Sequence, residues 1–571
     1  MASLQRFRVR GRSYWRIVES RRIGGKPRPV PILYLGTADA LLARLLQAPS
    51  GRLRVRSYEH GAVASLKAAS DRLEVAEIID RNVKTSARGL SVGTTMVLAA
   101  INRAVRPRSK RGWAGWAKGT SLHRLFGGLE PEKLTSEYFW DQMNCISLAA
   151  LERIEDELTR KIVSTLRLDL DTLFYDTTNF FTYIATTNEK SKLARRGRSK
   201  QKRHDLRQFG LALLVSRDGQ VPLLSHVYEG NRADAKVFSA SLTAIRKRLE
   251  DLSFCIREIT LVYDKGNSSK RNQALIDSAP FGYVASLVPS QQRELMEIPV
   301  SSYTPVASGR LEGTPVVRLK KEIWGAERTV VLFISKTLRA GQIRGLAQHL
   351  RKALKDLDAW KETLNAPRSG PRNVENAKKK IDSILAAQHL KKIVHVHYDP
   401  KREGAKRLSW RIDEAARAHL EREVFGKRIL ITDRHEWSVE EIILAYRGQS
   451  EVEGAFRQLK DDEHLTIRPH YHWTDQKLRV HTFICLVAFL LAKVVERDAR
   501  AAGRRESLSG ILDLLSQVRL AMVLTPSGKR GGRPRCRWQI EETDSEGLEL
   551  FRRLVPHRPP FVYTPSEATS L

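Results

Sequence analysis

Cysteine is scarce in this chain of 571 residues, and its scarcity excludes two kinds of structure. The four cysteines lie far apart, at Cys145, Cys255, Cys485 and Cys536. A disulfide framework and a cysteine-based zinc site both need cysteines at short, regular spacings. We therefore expect a protein of a reducing compartment, which places it in the cytoplasm.

Long hydrophobic runs and an N-terminal signal core are also missing. The longest apolar run, from Phe483 to Ala492, is bounded by His481 and Lys493. A helix needs about 20 apolar residues to span a bilayer, so this run favours a buried core helix. The first ten residues contain no apolar signal core. The sequence therefore predicts no membrane partner.

Acidic residues are few relative to basic ones. Lys and Arg number 99 against 64 Asp and Glu, which gives a formal net charge of +35. A charge of this size and sign is expected of a protein that neutralises phosphates. Because 42% of the residues are hydrophobic, the chain also has ample material for a core. Nucleic acid is the partner that this composition favours.

The pattern of the chain changes several times and predicts a mixed α/β protein of several domains. We predict a basic N-terminal β-hairpin module (1–60), a helical DNA-binding region (61–165), a split α/β core (166–290 and 427–525), an insertion domain (291–426) and a basic, proline-rich tail (526–571). Within the helical region, Trp113 and Trp116 interleave with basic residues. Such a stretch predicts contact with the DNA backbone and stacking on exposed bases.

Two stretches rich in β-formers each lead to an aspartate. The first, L-D-L-D-T-L-F-Y-D, ends at Asp176, and the second, I-T-L-V-Y-D, ends at Asp264. We predict that both aspartates stand at strand ends. Asp169 and Asp171 are rival carboxylates on the first strand, but the alternation of side chains points them away from the face of Asp176. A lone aspartate after a strand is usually a turn residue, so a function requires further carboxylates.

A third carboxylate lies on a predicted helix. Ser438 and Glu441 form a capping-box pattern, and the helix that it opens contains Glu453. Two aspartates on strands and one glutamate on a helix can hold two hard cations about 4 Å apart, as phosphodiester chemistry requires. Glu451 is the rival on this helix, but it lies about 200° from Glu453 and is expected to face solvent.

The spacing of this helix predicts a polar edge beside an apolar stripe. At 100° per residue, four polar side chains fall within about 60° of one another, namely Tyr446, Gln449, Glu453 and Lys460. Gly448 and Gly454 should each cost the helix about 1 kcal/mol relative to alanine. A close approach of another element is a plausible reason for keeping them.

Two further segments carry candidate binding residues. The strongly basic stretch 187–207, which includes Arg203, is interpreted as a mobile loop that seeks phosphates. Trp473 is interpreted either as a stacking partner for an unpaired base or as a core residue. Three histidines, at 470, 472 and 481, are close in sequence, but no thiol spacing supports a zinc site.

Taken together, these residues resemble a family, the DDE transposases of bacterial insertion sequences in the group marked by a Y-x2-R-x3-E-x6-K signature. Here the signature reads Tyr446, Gln449, Glu453 and Lys460, with intact spacing and glutamine in place of arginine. The similarity extends over about 166–495 and includes Y-D-T-T, V-Y-E-G-N-R-A-D, V-Y-D-K-G-N and I-R-P-H-Y-H-W-T-D. Glutamine can donate a hydrogen bond but lacks the charge and the fork of arginine.

The resemblance implies an RNase H-like core with a β-rich insertion before the glutamate helix. It implies Mg²⁺ as the cofactor, as two ions for which Mn²⁺ can substitute, with Asp176, Asp264 and Glu453 as the metal-binding and catalytic triad. The partners that it implies are double-stranded DNA, as transposon ends and target, and a second copy of the chain in the end complex. We expect a location on the bacterial nucleoid. The DNA contacts expected are Tyr446, Gln449, Lys460, Arg203, Lys265 and Trp473.

The function that follows is cut-and-paste DNA transposition. The protein is expected to bind the terminal inverted repeats of its element, to cleave a strand in a metal-dependent reaction, and to join the freed 3′-hydroxyl to target DNA. Two alternatives stay open, a nuclease built on the same fold and a DNA-binding protein without catalysis, such as a decayed transposase. Strand joining by the freed 3′-hydroxyl would distinguish the transposase from the nuclease. A DNA product that does not depend on metal would indicate the DNA-binding protein without catalysis.

Overall fold

The computed structural model describes residues 2–23, 26–46, 54–84, 89–197, 203–252, 256–365, 373–468, 470–525, 534–542 and 545–555. The chain forms two compact units. The terminal unit comprises Met1–Asp80, Lys84–Cys145 and Val494–Leu571, and the central unit comprises Arg81–Val83 and Ile146–Lys493. This division differs from the predicted domains, because the predicted core continued to residue 525 and the two N-terminal regions were separate.

The N-terminal module is a three-stranded antiparallel sheet followed by a helix. Its elements are β1 (Ala2–Val9), β2 (Arg12–Ile23), β3 (Lys26–Gly36) and α1 (Ala38–Leu46). The structure extends the predicted hairpin by one strand. Residues 24 and 25, between β2 and β3, lie outside the described residues.

The region 61–165 is helical, as predicted. It follows β4 (Arg54–Glu59) and contains α2 (Gly61–Arg72), α3 (Val75–Asn82), α4 (Val92–Val105), α5 (Lys110–Lys118), α6 (Leu122–Leu125), α7 (Ser136–Asn144) and α8 (Leu148–Leu166). The prediction that Trp113 and Trp116 are exposed for stacking is wrong, because they are only 3% and 8% exposed. Spaced three apart on α5, they share its buried face, and Trp113 packs edge-on against Phe139.

The central unit is built on a nine-stranded mixed sheet. Its first strands and helices are β5 (Thr172–Thr182), β6 (Arg207–Ser216), β7 (Pro222–Glu229), α9 (Asp234–Leu252), β8 (Thr260–Tyr263), α10 (Lys270–Asp277) and β9 (Gly282–Ser286). Strands β5, β6 and β7 are antiparallel neighbours, while β8 and β9 run parallel to β5. The mixed α/β fold class is therefore confirmed.

One predicted strand end is wrong. Strand β5 does not stop at Asp176 but continues to Thr182, since its second half also pairs with β6. The neighbouring strand β8 is only four residues long and ends before Asp264, as predicted. Asp176 therefore lies beside the C-terminal end of its parallel neighbour, β8.

The inserted stretch 291–426 is not the β-rich domain that the resemblance implied. It contains α11 (Arg293–Glu297), β10 (Thr304–Pro305), β11 (Pro315–Ile323), β12 (Ala326–Ile334), α12 (Lys336–Leu364), α13 (Val374–Ile384), α14 (Leu390–Ile393), β13 (Val394–Tyr398), β14 (Leu408–Ile412) and α15 (Glu414–His419). Strands β10 to β12 extend the main sheet. The remainder is mainly helical and buries its own core around Leu357, Trp360 and Ile393. The predicted break at 367–372 lies outside the described residues.

The main sheet is completed after the insertion. Strand β15 (Lys427–Thr432) pairs antiparallel with both β9 and β12, and α16 (Val439–Arg447), α17 (Gln449–Gln458) and α18 (Asp475–Ala501) follow. Helix α18 contains the apolar run seen in the sequence and is longer than that run. Its length and composition would allow it to cross a membrane, but 94% of its most apolar stretch is buried inside the protein. It therefore has the predicted character of a core helix.

The terminal unit ends with α19 (Leu508–Ser516), β16 (Arg519–Thr525), β17 (Arg535–Ile540) and α20 (Ser545–Leu554). Strand β16 pairs antiparallel with both β17 and β4. A strand from near the C-terminus and one from the N-terminal region thus share a sheet, which explains why residues after 493 belong to this unit. The predicted basic, proline-rich tail (526–571) is wrong in part, because this stretch contains β17 and α20; its residues from 556 on lie outside the described part.

Candidate active site

Asp176 and Asp264 lie side by side on neighbouring parallel strands. Tyr175 on β5 is the partner of Tyr263 on β8, and each aspartate is the next residue along. Asp264 retains extended backbone angles, so the alternation of side chains continues through it. Tyr175 and Tyr263 both pack on Phe238 of α9, with ring centroids 4.9 and 4.8 Å from it. The two aspartates therefore share the opposite face of the sheet, on strands about 4.8 Å apart.

Asp264 is held by hydroxyl groups from two other elements. Its Oδ1 accepts hydrogen bonds from Ser286 Oγ at 2.9 Å and from Tyr446 Oη at 2.9 Å. The backbone N–H of Lys265 donates to Ser286 Oγ at 3.1 Å, and Arg428 Nη1 donates to Tyr446 Oη at 2.9 Å. Burial and the nearby Asp264 carboxylate raise the pKa of Tyr446 to about 12. The hydroxyl is therefore a donor at neutral pH.

The helix predicted to run from Ser438 through Glu453 is interrupted. The capping box of Ser438 and Glu441 is present and opens α16, but α16 ends at Arg447 and α17 begins after Gly448. A Cβ on Gly448 would lie 2.3 Å from Cζ of Phe174 on β5. The close approach predicted for this glycine is thus confirmed, whereas at Gly454 the nearest atom is at an ordinary 3.4 Å.

Helix α17 lies along β5 on the face that carries the aspartates. Side chains alternate along β5, so Phe174, Asp176 and Thr178 all point to the face opposite that of Tyr175. The helix begins against Phe174, and at the end of the segment Lys460 Nζ donates to Thr178 Oγ1 at 2.5 Å. Glu453 lies on α17 between these two contacts in sequence, and its side chain is exposed.

Gln449 is not placed to contact DNA. Its side chain is 6% exposed, and its Nε2 donates to the backbone carbonyl of Tyr175 at 2.9 Å. The helix is interrupted at Gly448, and Gln449 is the first residue of α17. Gln449 instead fastens the start of α17 to the strand that carries Asp176.

Two other expectations for the signature helix also change. Tyr446, expected to contact phosphate, is 7% exposed and directs its hydroxyl at Asp264. Glu451, expected to face solvent, is half-buried and accepts a hydrogen bond from Gln220 Nε2. Gln220 Oε1 in turn accepts from Lys493 Nζ at 3.0 Å. Glu451 therefore ties α17 to its surroundings, and Glu453 is left as the carboxylate of this helix that is available at the site.

The remaining predicted DNA contacts lie at the surface. Lys265 follows Asp264 directly and is exposed. Arg203 forms an ion pair with Asp205 at 2.7 Å and lies over the ring of Phe181. Trp473 is 45% exposed, with Lys190 Nζ 4.7 Å from its ring centroid, so the core interpretation of this residue is wrong.

The basic stretch 187–207 is anchored at its start. Asp475, the first residue of α18, accepts hydrogen bonds from Ser191 Oγ at 2.7 Å and from the N–H groups of Lys192 and Leu193 at 3.0 Å each. The N–H of Arg195 also donates to the backbone carbonyl of Gln208 at 2.9 Å. These bonds give the first half of the stretch a defined structure, and residues 198–202 lie outside the described part.

The three histidines that are close in sequence also meet in the core. The rings of His470, His472 and His481 lie 4.7–5.5 Å apart, and Cys485 Sγ is 3.6 Å from His481 Nε2. His481 Nε2 also contacts the carbonyl of Ile467 at 3.2 Å. Among the residues that the structure describes, no group of three or more His, Cys, Asp or Glu is arranged to hold a metal ion. This holds for the histidines and for the three predicted carboxylates as they stand.

A separate cavity of about 400 Å³ opens elsewhere in the central unit, between α8, β7, α9 and the start of α18. Burial raises the pKa of Glu155, which lines it, to about 7, against the opposing effects of a hydrogen bond from Ser225 and the charge of Arg248. Arg248 forms an ion pair with Asp156 and donates to Thr159 Oγ1 at 2.6 Å. These bonds commit Arg248 to holding α8 and α9 together.

Sequence reasoning missed the residues that position Asp264 and the one that anchors the basic stretch. Ser286 and Arg428 belong to the first group and Asp475 is the second, and none carries a motif of its own. Arg428 and Ser286 are found only once β9 and β15 are seen to be neighbours. The signal available in the sequence for Ser286 was a polar residue at the end of a predicted strand.

The chain was compared with known proteins. No protein-family model matches it, and no curated protein matches it. Among solved structures it is similar to a piggyBac transposase, determined by cryo-electron microscopy as a synaptic complex with hairpin DNA. The identity is 8%, the TM-score is 0.36, and the alignment covers 81% of this chain and 82% of that chain. A similarity of this size carries no argument about function, which must be inferred from the residues and their geometry.

Proposed function

We propose that this protein is a DDE-type transposase that binds the ends of its element, cleaves a DNA strand and joins the freed 3′-hydroxyl to target DNA. The observation that carries the proposal is the pair of aspartates at equivalent positions on neighbouring parallel strands. The helix that bears Glu453 lies along one of those strands. Two of the three predicted carboxylates thus share one face of the sheet, and the third is on a helix that packs against that face.

The topology around the aspartates supports this proposal. Strands β7, β6, β5, β8 and β9 are adjacent in that order, with the first three antiparallel and the last two parallel to β5. This order and these directions support the RNase H-like core that the sequence resemblance implies. Fold alone does not determine activity, so the site residues carry the argument.

The donor set fits a hard divalent cation. Carboxylate oxygens are the ligands that Mg²⁺ accepts, and Asp176 and Asp264 present theirs on the same face. Asp176, Asp264 and Glu453 would hold Mg²⁺, or Mn²⁺ in its place, and the bound metal would supply charge stabilisation and an activated water. Glu453 would complete the set from α17, where its side chain is exposed.

Other residues of the chain prepare the site for DNA. Lys460 lies on the same face as Asp176, and Lys265 is exposed next to Asp264. Arg203 and Trp473 provide a cation and an exposed indole in the same unit, suited to phosphate and to an unpaired base. The net charge of +35 provides general attraction for the DNA backbone. A pair of copies, each bound to one end, would complete the reaction on a DNA element in the bacterial nucleoid.

A plasmid that carries the coding region with its native flanks tests this function. The full chain is incubated with this plasmid, with and without Mg²⁺, and strand breaks and joints are mapped at nucleotide resolution. We expect paired, metal-dependent breaks at inverted repeats and joining of the 3′-ends to a second DNA. Breaks without joining would indicate a nuclease instead, and tight binding without metal-dependent breaks would indicate a DNA-binding protein.

Matched variants connect the reaction to the site. Asp264→Asn keeps the size of the side chain but removes its charge, so we expect loss of cleavage, by about 10³-fold or more, with DNA binding retained. Asp169→Asn is the control, because Asp169 is an exposed carboxylate that precedes β5, the strand beside Asp264. Equal loss in both variants, or loss of binding together with cleavage, would contradict the assignment.

A further inference from the structure

We propose that Tyr446 and Ser286 are positioning residues that hold the Asp264 carboxylate for metal binding, and that Tyr446 does not contact DNA. This inference rests on the proposed function, because it assigns a role within the same site. It differs from the role expected for the signature tyrosine, which was contact with a phosphate. The arrangement of hydrogen bonds around Asp264 carries it.

Both hydroxyls converge on one oxygen of the carboxylate. Tyr446 Oη and Ser286 Oγ each lie 2.9 Å from Asp264 Oδ1. Two donors on one oxygen fix the χ2 torsion of the Asp264 side chain. The other carboxylate oxygen is then held in one direction. Groups that orient a metal ligand in this way are worth about 10- to 100-fold in metal affinity or activity when they are removed.

Each hydroxyl is itself oriented by a donor. Ser286 Oγ accepts the backbone N–H of Lys265 at 3.1 Å, and Tyr446 Oη accepts Arg428 Nη1 at 2.9 Å. A hydroxyl has one proton, so a donor on its oxygen turns that proton towards the remaining acceptor. For Ser286 Oγ that acceptor is Asp264 Oδ1. Tyr446 Oη has two acceptors, Asp264 Oδ1 at 2.9 Å and Ser286 Oγ at 3.3 Å, and the carboxylate is both the nearer and the charged one. The network therefore has a direction, from the cation and the amide through the hydroxyls to the carboxylate.

The surroundings of Tyr446 do not suit a role in phosphate binding. The side chain is 7% exposed, and the Arg428 guanidinium lies 5.5 Å from the centre of its ring. The residue lies on α16, while Ser286 ends β9, so the contact also links the helix to the sheet beside Asp264. A buried hydroxyl with a donor and an acceptor already in place has no vacant direction for a phosphate oxygen.

Tyr446→Phe removes one donor to Asp264 together with the acceptor for Arg428, and Ser286→Ala removes the other donor together with the acceptor for the Lys265 N–H. Tyr263→Phe is the matched control, because Tyr263 is a buried tyrosine adjacent to Asp264 whose hydroxyl donates instead to Gln273 Oε1 at 2.8 Å. For each full-length variant, Mn²⁺ binding is measured by the paramagnetic resonance signal of the free ion. Binding to the flanking DNA is measured in EDTA, and cleavage is measured over a range of Mn²⁺ concentrations.

We expect Tyr446→Phe and Ser286→Ala each to weaken Mn²⁺ binding by about tenfold or more. Cleavage should then require correspondingly more metal, with partial recovery at high Mn²⁺. DNA binding in EDTA should be unchanged, and Tyr263→Phe should match the wild-type protein in all three measurements. Unchanged Mn²⁺ binding with weaker DNA binding in Tyr446→Phe would overturn the inference and restore the phosphate contact.

The Mn²⁺ measurement also separates this inference from the proposed function. A wild-type protein that binds Mn²⁺ but never cuts DNA, with weaker binding in the two variants, would support the positioning role and refute the transposase. A wild-type protein that cuts DNA, with variants that bind Mn²⁺ and cut as well as it does, would support the transposase and overturn the positioning role.

Discussion

Replacing Gly448 by alanine should destabilise the contact between α17 and β5, although helix propensity alone predicts the opposite. Gly448 has φ −60° and ψ −13°, which alanine adopts readily. Alanine would therefore gain about 1 kcal/mol in a helical position. The added Cβ, however, would lie 2.3 Å from Cζ and 2.7 Å from Cε1 of Phe174. An ordinary contact between carbons is about 3.5 to 4.0 Å.

The overlap exceeds an ångström, and Phe174 has nowhere to move because it is buried on β5. Overpacking of this kind costs about 1–3 kcal/mol, so we expect a net loss of up to about 2 kcal/mol after the gain of about 1 kcal/mol in propensity. Because the chain has two compact units, its global unfolding is not expected to be two-state. Hydrogen exchange of the α17 amides measures the local free energy of opening directly.

Gly454 provides the control within the same helix. A Cβ there would meet Gln220 Nε2 at 3.4 Å, an ordinary contact, so Gly454→Ala should stabilise α17 by about 1 kcal/mol. Phe174→Leu removes the clashing ring atoms, and Gly448→Ala in that background should cost at least about 1 kcal/mol less than in the wild-type chain. If Gly448→Ala stabilises the helix as much as Gly454→Ala does, the close packing inferred here is refuted.

Two further predictions concern the rest of the central unit. Asp475→Ala removes the acceptor for Ser191, Lys192 and Leu193, so tryptic cleavage after Arg195 should become several-fold faster in a gel time course. An unchanged rate would mean that Asp475 does not anchor the stretch 187–207. Glu155 has its pKa raised by burial from 4.5 to about 7, so between these pH values the folded chain keeps a proton that the unfolded chain has released, and stability falls as pH rises. The difference in unfolding free energy between Glu155→Gln and the wild-type chain should therefore move in favour of the variant by up to about 3 kcal/mol as pH rises through this window. Glu152→Gln, at an exposed glutamate, is the control. A difference for Glu155→Gln that does not change with pH would contradict the raised pKa.

Several elements could be predicted from the sequence because their signals are local. The strands that lead to Asp176 and Asp264 have runs of β-formers, and the capping box at Ser438 satisfies its own backbone groups within one turn. The close approach at Gly448 was also anticipated, since a glycine inside a helix is costly. What could not be predicted was the partner, because Phe174 is far away in sequence and no local pattern links the two.

The same distinction explains the wrong predictions. Trp113 and Trp116 lie among basic residues, and only the packing of α5 on α7 shows that they face inwards. The strands of the insertion could not be assigned to the main sheet without knowing that β12 pairs with β15. Gln449 and Tyr446 were expected to contact DNA, but Gln449 Nε2 donates to the Tyr175 carbonyl and Tyr446 Oη donates to Asp264, and both acceptors are far away in sequence.

The sequence by itself determined the charge of this protein, its mixed α/β character and the three carboxylates on which a metal-dependent reaction would depend. These properties follow from composition and from periodicities of two and 3.6 residues. The tertiary structure decided which side chains surround those carboxylates. Parallel pairing in register sets Asp176 beside Asp264, and the packing of α16 and α17 directs Tyr446 at Asp264 and Gln449 at β5. Contacts between residues distant in the chain arise only when the elements pack, because each element is compatible with many neighbours until burial selects one.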